Sequence, residues 1–250
     1  MNHEERMEAC RVASDKLLKK YPGDIIATGV SGSVGRCQDL KHSDIDFHVL
    51  VKDGSPLKSH MLVVRGCLLS VTVKTEKDWR KELEEPNRSL PLAVGSLESI
   101  LSIHDSKEIF VRLRNLARNL PDECWRNAVR YGLEDIVEDL GRARNFHAEK
   151  DWDNFRTMAV LVALSYAQVY ASLRRMTLTS EKDLMSVFKK DLGESSEPAR
   201  RHRIASCLTN GIDEDILESL EWLHQFLVDQ ARKQSAAPED LRSISEYNPP

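Results

Sequence analysis

Apolar and polar positions along the first half of the chain predict a mixture of strands and helices. The spacing of Met7, Val12 and Leu17 predicts a helix from about Glu4 to Lys20. Runs of apolar residues predict strands over 25–30, 45–51, 61–64, 67–73 and 98–103. A short helix can open after Gly32, and further helices are expected over 76–85 and, capped by Ser106, to about Asn119.

From Pro121 onward the pattern changes to helices alone. Apolar residues at helical spacing predict helices over 123–147, 154–176, 180–190, 197–210 and 213–230. The polar stretch that follows predicts a mobile tail. We therefore expect an α+β fold, with a mixed sheet and helices over 1–118, a helical bundle over 119–232 and a tail over 233–250.

Composition narrows the class of protein. A chain of 250 residues with 41% hydrophobic and 30% charged residues can build a substantial core. Its net charge of -4 gives no global attraction to nucleic acid or to an anionic membrane, so neither is an expected partner. The longest apolar stretch, Met158 to Leu164, is too short to span a bilayer. Five scattered cysteines without a CxxC pair, and a charged start without a signal peptide, predict reduced thiols in a cytoplasmic protein.

The most informative segment runs from Gly32 to Phe47. A glycine-serine turn follows one apolar strand, and Asp44 and Asp46 stand at the start of the next. In an extended strand, residues two apart lie on one face, roughly 6.5–7 Å apart. Neighbouring carboxylates repel each other unless a cation lies between them. This pattern predicts a divalent-metal site.

The turn itself predicts a phosphate site beside the metal. Backbone N–H groups of Gly32 and Ser33 can face a phosphate, and the Ser33 hydroxyl can donate to a phosphate oxygen. Arg36, one turn later, can neutralise phosphate charge. Asp44 and Asp46 would then hold one or two Mg²⁺ ions that bridge a nucleoside triphosphate, with ATP as the expected nucleotide. The alternative is a surface loop followed by an edge strand whose acids are merely solvated.

This segment resembles the polymerase-β-type nucleotidyltransferase superfamily, and within it the kanamycin (aminoglycoside) nucleotidyltransferase branch. That branch has a Gly-Ser-x-Gly-Arg turn before a Ser-Asp-Ile-acid run, as in Gly32 to Arg36 and Ser43 to Asp46 here. The resemblance implies a nucleotidyltransferase-type mixed sheet with Asp44 and Asp46 as catalytic metal ligands. It also implies transfer of a nucleoside monophosphate to a hydroxyl of a small molecule, such as an aminoglycoside-like compound, with release of pyrophosphate.

A second segment, Glu134 to Asn145, extends the resemblance into the helical half. The branch carries a similar Glu-Glu-x-x-Glu-x-x-Gly-Lys-x-Arg-Asn stretch. Carried over to this chain, Glu138 is the catalytic base for the acceptor hydroxyl and Arg142 contacts the nucleotide phosphates. Residues four apart share one helix face, so an ordinary surface ion pair fits the spacing equally well. Members of the branch are dimers with sites at the subunit interface, and a homodimer is implied by analogy.

One position departs from the superfamily pattern. Its enzymes usually place a third carboxylate on a later strand, where this chain has Ser70 or Thr72. Neither side chain can replace a carboxylate as a charged ligand or base. With two carboxylates, a base from elsewhere such as Glu138 becomes indispensable. The alternative is a catalytically weakened nucleotide-binding or antitoxin-like interaction module.

Overall fold

The computed structural model describes residues 1–85, 87–209 and 211–238. The chain divides into two compact units. The sheet unit comprises Met1–Glu84 and Ala93–Leu120, and the helical unit comprises Glu85–Leu92 and the described residues from Pro121 onward. Of the predicted tail over 233–250, residues 239–250 lie outside the described part of the chain.

A five-stranded mixed sheet forms the centre of the sheet unit. Its strands are β1 Ile25–Ser31, β2 Ile45–Val51, β3 His60–Val64, β4 Cys67–Thr75 and β5 Leu101–His104. Their order across the sheet is β3-β4-β2-β1-β5. Strands β2 and β4 run parallel, and the other neighbouring pairs are antiparallel. Antiparallel pairing of β1 and β2 brings the end of β1 next to the start of β2.

The helices of the first half are α1 His3–Lys20, α2 Gly32–Gly35, α3 Glu76–Glu84, α4 Leu90–Ser99 and α5 Ile109–Arg118. The strand predicted over 98–103 was wrong at its start, because α4 extends to Ser99 and β5 begins at Leu101. A proline in the first turn of α4 is compatible with a helix start. Ser106 does not cap α5; the Asp105 carboxylate accepts hydrogen bonds from the backbone N–H groups of Ile109 and Phe110 instead.

Helix α1 packs its inner face against the sheet. An Asn2–Glu5 capping box starts the helix. Its buried positions are Arg6, Cys10 and Ser14, each four residues after the last. Val12, which contributed to the predicted periodicity, is 41% exposed. The inner face of α1 is therefore partly polar, a property that hydrophobic spacing does not reveal.

The helical unit contains α6 Asp122–Ala148, α7 Trp152–Leu173, a 3₁₀ turn Glu181–Ser186, α8 Val187–Leu192, α9 Glu197–Ala205 and α10 Asp213–Lys233. Its core joins the inner faces of α6, α7 and α10 through residues such as Leu140, Tyr166 and Leu223. Together with the mixed sheet, this bundle confirms the predicted α+β fold class. No helix in the described part of the chain has the length and apolar character needed to cross a membrane.

Candidate nucleotide site

The predicted turn and the predicted acids meet at one end of the sheet. Strand β1 ends at Ser31, which pairs with Asp46 in the antiparallel register of β1 and β2. Helix α2 begins at the next residue, Gly32. The local sequence therefore places the Asp46 carboxylate beside the first residues of α2.

Close packing requires both glycines of the turn. Gly32 has a φ of +64°, and a Cβ atom there would collide with Oδ2 of Asp46. A Cβ atom on Gly35 would lie 2.5 Å from the carbonyl oxygens of Val30 and Ser99. The first glycine thus allows the turn to contact the carboxylate, and the second allows α2 to pack on the strand behind it.

The charges of this site act on one another. Burial raises the pKa of the half-buried Asp46 carboxyl, the negative charge of Asp44 raises it further, and Arg36 lowers it. Asp44, the residue before β2, is itself exposed. The structure therefore brings Asp44, Asp46 and Arg36 within electrostatic reach of one another at the Gly32 turn.

The two carboxylates are compatible with Mg²⁺. The repulsion that raises the pKa of Asp46 is one that a cation would relieve. Within 1–85, 87–209 and 211–238, no group of three or more His, Cys, Asp or Glu side chains could hold a metal ion. Mg²⁺ is commonly held by one or two carboxylates together with water and substrate phosphates. The donor set therefore fits a metal that arrives with a nucleotide, and it does not form a cage of protein ligands alone.

The register of β2 and β4 identifies the position beside the acids. Ser70 pairs with Asp46, and Thr72 pairs with His48. Paired residues on neighbouring strands project from the same face of a sheet. Ser70 therefore occupies the place next to Asp46, and it contributes a hydroxyl there without a charge.

His48, which is not among the residues predicted from the sequence, is a buried neighbour of the site. Its Nε2 lies 2.7 Å from Oγ of Ser31, the residue that precedes the turn. Burial, and secondly the charge of Lys74, lower the pKa of His48 to about 4, so the ring is neutral at pH 7. The alternation of Asp44, Asp46 and His48 on one strand face was the signal that could have revealed it.

Arg6 is a second residue missed from sequence. Its guanidinium donates to Oδ2 of Asp39 at 2.7 Å, and to the carbonyl oxygens of Leu40 and Lys41 at 2.9 and 3.0 Å. The side chains of Arg6 and Asp39 are each 2% exposed. This buried ion pair fixes the loop that leads from α2 to Asp44. Within the charged start of α1, nothing distinguishes Arg6 from a surface residue.

The second predicted pair lies on α6. Arg142 Nη2 donates to Oε1 of Glu138, and Arg142 Nη1 donates to Oδ1 of Asp139 at 3.2 Å. The Glu138 side chain is 69% exposed and that of Arg142 is 54% exposed. The i,i+4 spacing has therefore formed the expected pair, on a solvated face of the helix.

Comparison with known proteins agrees with the resemblance that the motifs indicate. No family model matches the chain. Two curated proteins named aminoglycoside nucleotidyltransferase (4'), from Staphylococcus aureus and a Bacillus species, are each 25% identical over 247 residues. The alignments cover 93% of this chain and 96% of each relative. The chain is similar to aminoglycoside nucleotidyltransferases over nearly its whole length.

A solved structure supports the fold. The nucleotidyltransferase-like protein from Exiguobacterium sibiricum superposes with a TM-score of 0.56 at 13% identity, covering 89% of this chain and 77% of that protein. The predicted resemblance to nucleotidyltransferases, and to their aminoglycoside branch, is therefore confirmed. Within the sheet unit, the structure assembles the Gly32–Ser33 turn with Arg36, Asp44 and Asp46. Within the helical unit, it pairs Glu138 with Arg142. The roles of these residues stay predictions.

Proposed function

We propose that the protein is a nucleotidyltransferase. It transfers a nucleoside monophosphate from a nucleoside triphosphate, ATP, to a hydroxyl of an aminoglycoside-like small molecule and releases pyrophosphate. One observation carries this proposal. The Asp46 carboxylate packs against the Gly32 turn and interacts electrostatically with Asp44 and Arg36. Similarity to aminoglycoside nucleotidyltransferases over 93% of the chain supports the class of acceptor.

The sheet unit would bind the nucleotide. Backbone N–H groups at Gly32 and Ser33 and the Ser33 hydroxyl face phosphate oxygens, and Arg36 balances their negative charge. Asp44 and Asp46 would hold Mg²⁺, which when bound supplies positive charge for the triphosphate and the departing pyrophosphate. The buried Arg6–Asp39 pair keeps the loop that carries Asp44 in place before the nucleotide arrives.

The helical unit would supply the base. In this proposal Glu138 removes the proton of the acceptor hydroxyl, and Arg142 contacts the phosphates. The exposure of Glu138 supports this role, because a base must be accessible to its substrate. With Ser70 in place of a third carboxylate, another base is needed. The resemblance of the Glu134 to Asn145 segment to the corresponding stretch of the aminoglycoside branch supports Glu138 in that role. Homodimer assembly, implied by analogy, belongs to the same proposal and is measured by light scattering.

Pyrophosphate release tests this function directly. The wild-type protein is incubated with ATP, Mg²⁺ and each member of an aminoglycoside panel. We expect release with at least one acceptor, loss of at least about 1,000-fold in Asp46→Asn, and full activity in Asp53→Asn. Asp53 is an exposed acid in the turn after β2 and serves as the matched control. Wild-type turnover in Asp46→Asn would exclude the assigned role of Asp46.

One observation favours a second candidate. Ser70 beside Asp46 leaves the site with one carboxylate fewer than the superfamily pattern, as expected for a nucleotide-binding module with weakened catalysis. Calorimetry with ATP, with and without Mg²⁺, separates the two candidates when it is combined with the release assay. Mg²⁺-dependent ATP binding without pyrophosphate release for any acceptor would favour the module.

A further inference from the structure

Three side chains outside the proposed phosphate and metal contacts form a line of contacts in the sheet unit. Cys37 Sγ lies 3.6 Å from Nε2 of His3. The other ring nitrogen of His3, Nδ1, lies 2.6 Å from Oδ1 of Asp39. Arg6 donates to the second oxygen of the same carboxylate. A thiol, an imidazole and a carboxylate in this order are a nucleophile, a base and the group that orients the base.

The hydrogen bonds fix which nitrogen of His3 acts as the base. Burial opposes the charge of Asp39, but hydrogen bonds from His3 and Arg6 hold the pKa of this carboxyl below its ordinary value. An ionised carboxylate can only accept, so Nδ1 of the neutral ring carries the hydrogen. The lone pair of Nε2 then faces the Cys37 thiol. His3 is thus oriented to accept the proton of Cys37.

Cys37 differs from the other cysteines in its surroundings. It is exposed and has a φ of +56°, an uncommon conformation for a residue other than glycine. Cys10 and Cys67 are buried, and burial raises the pKa of Cys10 to about 12. Burial also raises the pKa of Cys207, and Cys124 is half-buried. Cys37 therefore combines access to solvent with an adjacent base.

We propose that Cys37 is a nucleophilic thiol, activated by His3 and Asp39, that forms mixed disulfides with low-molecular-weight disulfides. The Cys37 proton passes to Nε2 of His3 as Sγ attacks one sulfur of the disulfide RS–SR. A Cys37–S–SR bond forms, the RS–SR bond breaks, and the leaving RS⁻ takes the proton from His3. Cys37 is oxidised, and the departing thiol RSH is reduced.

The position of Cys37 couples this chemistry to the nucleotide turn. Cys37 directly follows Arg36, and its backbone N–H donates to the carbonyl oxygen of Val34 in α2. A group as large as a glutathionyl adduct attached there would crowd the segment that carries Arg36. This consequence rests on the proposed function: thiolation of Cys37 lowers the affinity for ATP.

Labelling kinetics test the activated thiol without any assay of nucleotide transfer. Folded protein is treated with oxidised glutathione at pH 7, and the modified cysteine is mapped by mass spectrometry. An ordinary cysteine is only a few per cent thiolate at this pH, so full activation can raise the rate by no more than roughly thirtyfold. We expect Cys37 to react first, about tenfold faster than in the urea-unfolded chain.

A matched pair of variants assigns the activation to His3. His3→Gln should lower the rate at Cys37 by about tenfold, because glutamine cannot take the proton. His42→Gln makes the same change at an exposed histidine and should leave the rate unchanged. Equal rates in the folded and unfolded chain, or equal rates in His3→Gln and the wild type, would overturn the proposal.

Calorimetry with ATP and Mg²⁺ separates this proposal from the proposed function. The glutathionylated protein should bind ATP more weakly than the reduced protein, and Cys37→Ser should resist thiolation while binding ATP normally. Unchanged affinity after thiolation would contradict the coupling. If the reduced protein binds no ATP, the proposed function fails, whereas the activated thiol stands or falls on the labelling rates.

Discussion

The two segments that carry the candidate residues differ in how their side chains are held. In the sheet unit, Asp46 lies half-buried against Gly32, and the loop before it is fixed by a buried Arg6–Asp39 pair. In the helical unit, Glu138 and Arg142 form an exposed ion pair on α6. Exposed pairs contribute little to stability, whereas breaking a buried pair is costly.

This contrast has a consequence for mutations. A change in the sheet segment should alter stability and ligand binding together, because the same contacts that fold the turn also position its charges. A change at Glu138 should alter chemistry alone, because its side chain contributes little to folding.

The largest expected effect is on stability at Arg6. Arg6→Met leaves the buried Asp39 carboxylate without its guanidinium partner and should lower the free energy of unfolding by about 3 kcal/mol. Arg11→Met breaks the exposed pair with Glu8 on the same helix and should cost less than about 1 kcal/mol. Urea unfolding measures the stability of both variants. Equal losses would show that the buried Arg6–Asp39 pair stabilises the fold no more than an exposed pair does.

Glu138→Gln should slow turnover by about 100-fold, because the proposed base is removed. Its stability and its affinity for ATP should stay at wild-type values, since the side chain is exposed. Glu149→Gln, an exposed glutamate at the end of the same helix, is the control and should be fully active. Single-turnover kinetics with a responsive acceptor give the measurement; a Glu138→Gln enzyme at full speed would remove Glu138 from the mechanism.

Gly32→Ala tests the contact between the turn and the carboxylate. Both Gly32 and Gly54 have positive φ, so alanine is strained at either position by about 1–2 kcal/mol. At Gly32 the new Cβ also meets Asp46, whereas at Gly54 it meets open space. We expect Gly32→Ala to be less stable than Gly54→Ala by roughly a further 1 kcal/mol and to bind ATP with Mg²⁺ about tenfold more weakly. Equal behaviour of the two variants would contradict the contact.

The smallest effect is the pH dependence of stability at Asp46. Its folded pKa is raised, so the neutral form favours folding at low pH, and this contribution is lost as pH rises through the folded pKa. Without metal, Asp46→Asn should therefore unfold at a higher urea concentration than the wild type at pH 7. The difference should vanish below about pH 3, where aspartate is protonated in both states. If Asp46→Asn were less stable than the wild type at pH 7, the ionised Asp46 carboxylate would favour folding, which contradicts this prediction.

Local pattern predicted the parts of the site that depend on local geometry. The two-residue spacing of Asp44 and Asp46 predicted that they lie on one strand face, and the glycines predicted the turn beside them. Contacts between distant positions were not predictable: Arg6 and Asp39 are 33 residues apart, and a charged helix start gives no sign of a buried arginine. Helix α4 was missed because its apolar residues lack a polar face that would show helical spacing.

Metal binding at the turn tests the central claim most directly. Mn²⁺ prefers the same oxygen ligands as Mg²⁺, and its binding can be counted by electron paramagnetic resonance with a non-hydrolysable ATP analogue. We predict that wild-type protein and Asp53→Asn bind the ion with equal affinity. Asp44→Asn and Asp46→Asn should each bind it at least about tenfold more weakly. Wild-type affinity in both of these variants would contradict a metal site formed by the two carboxylates.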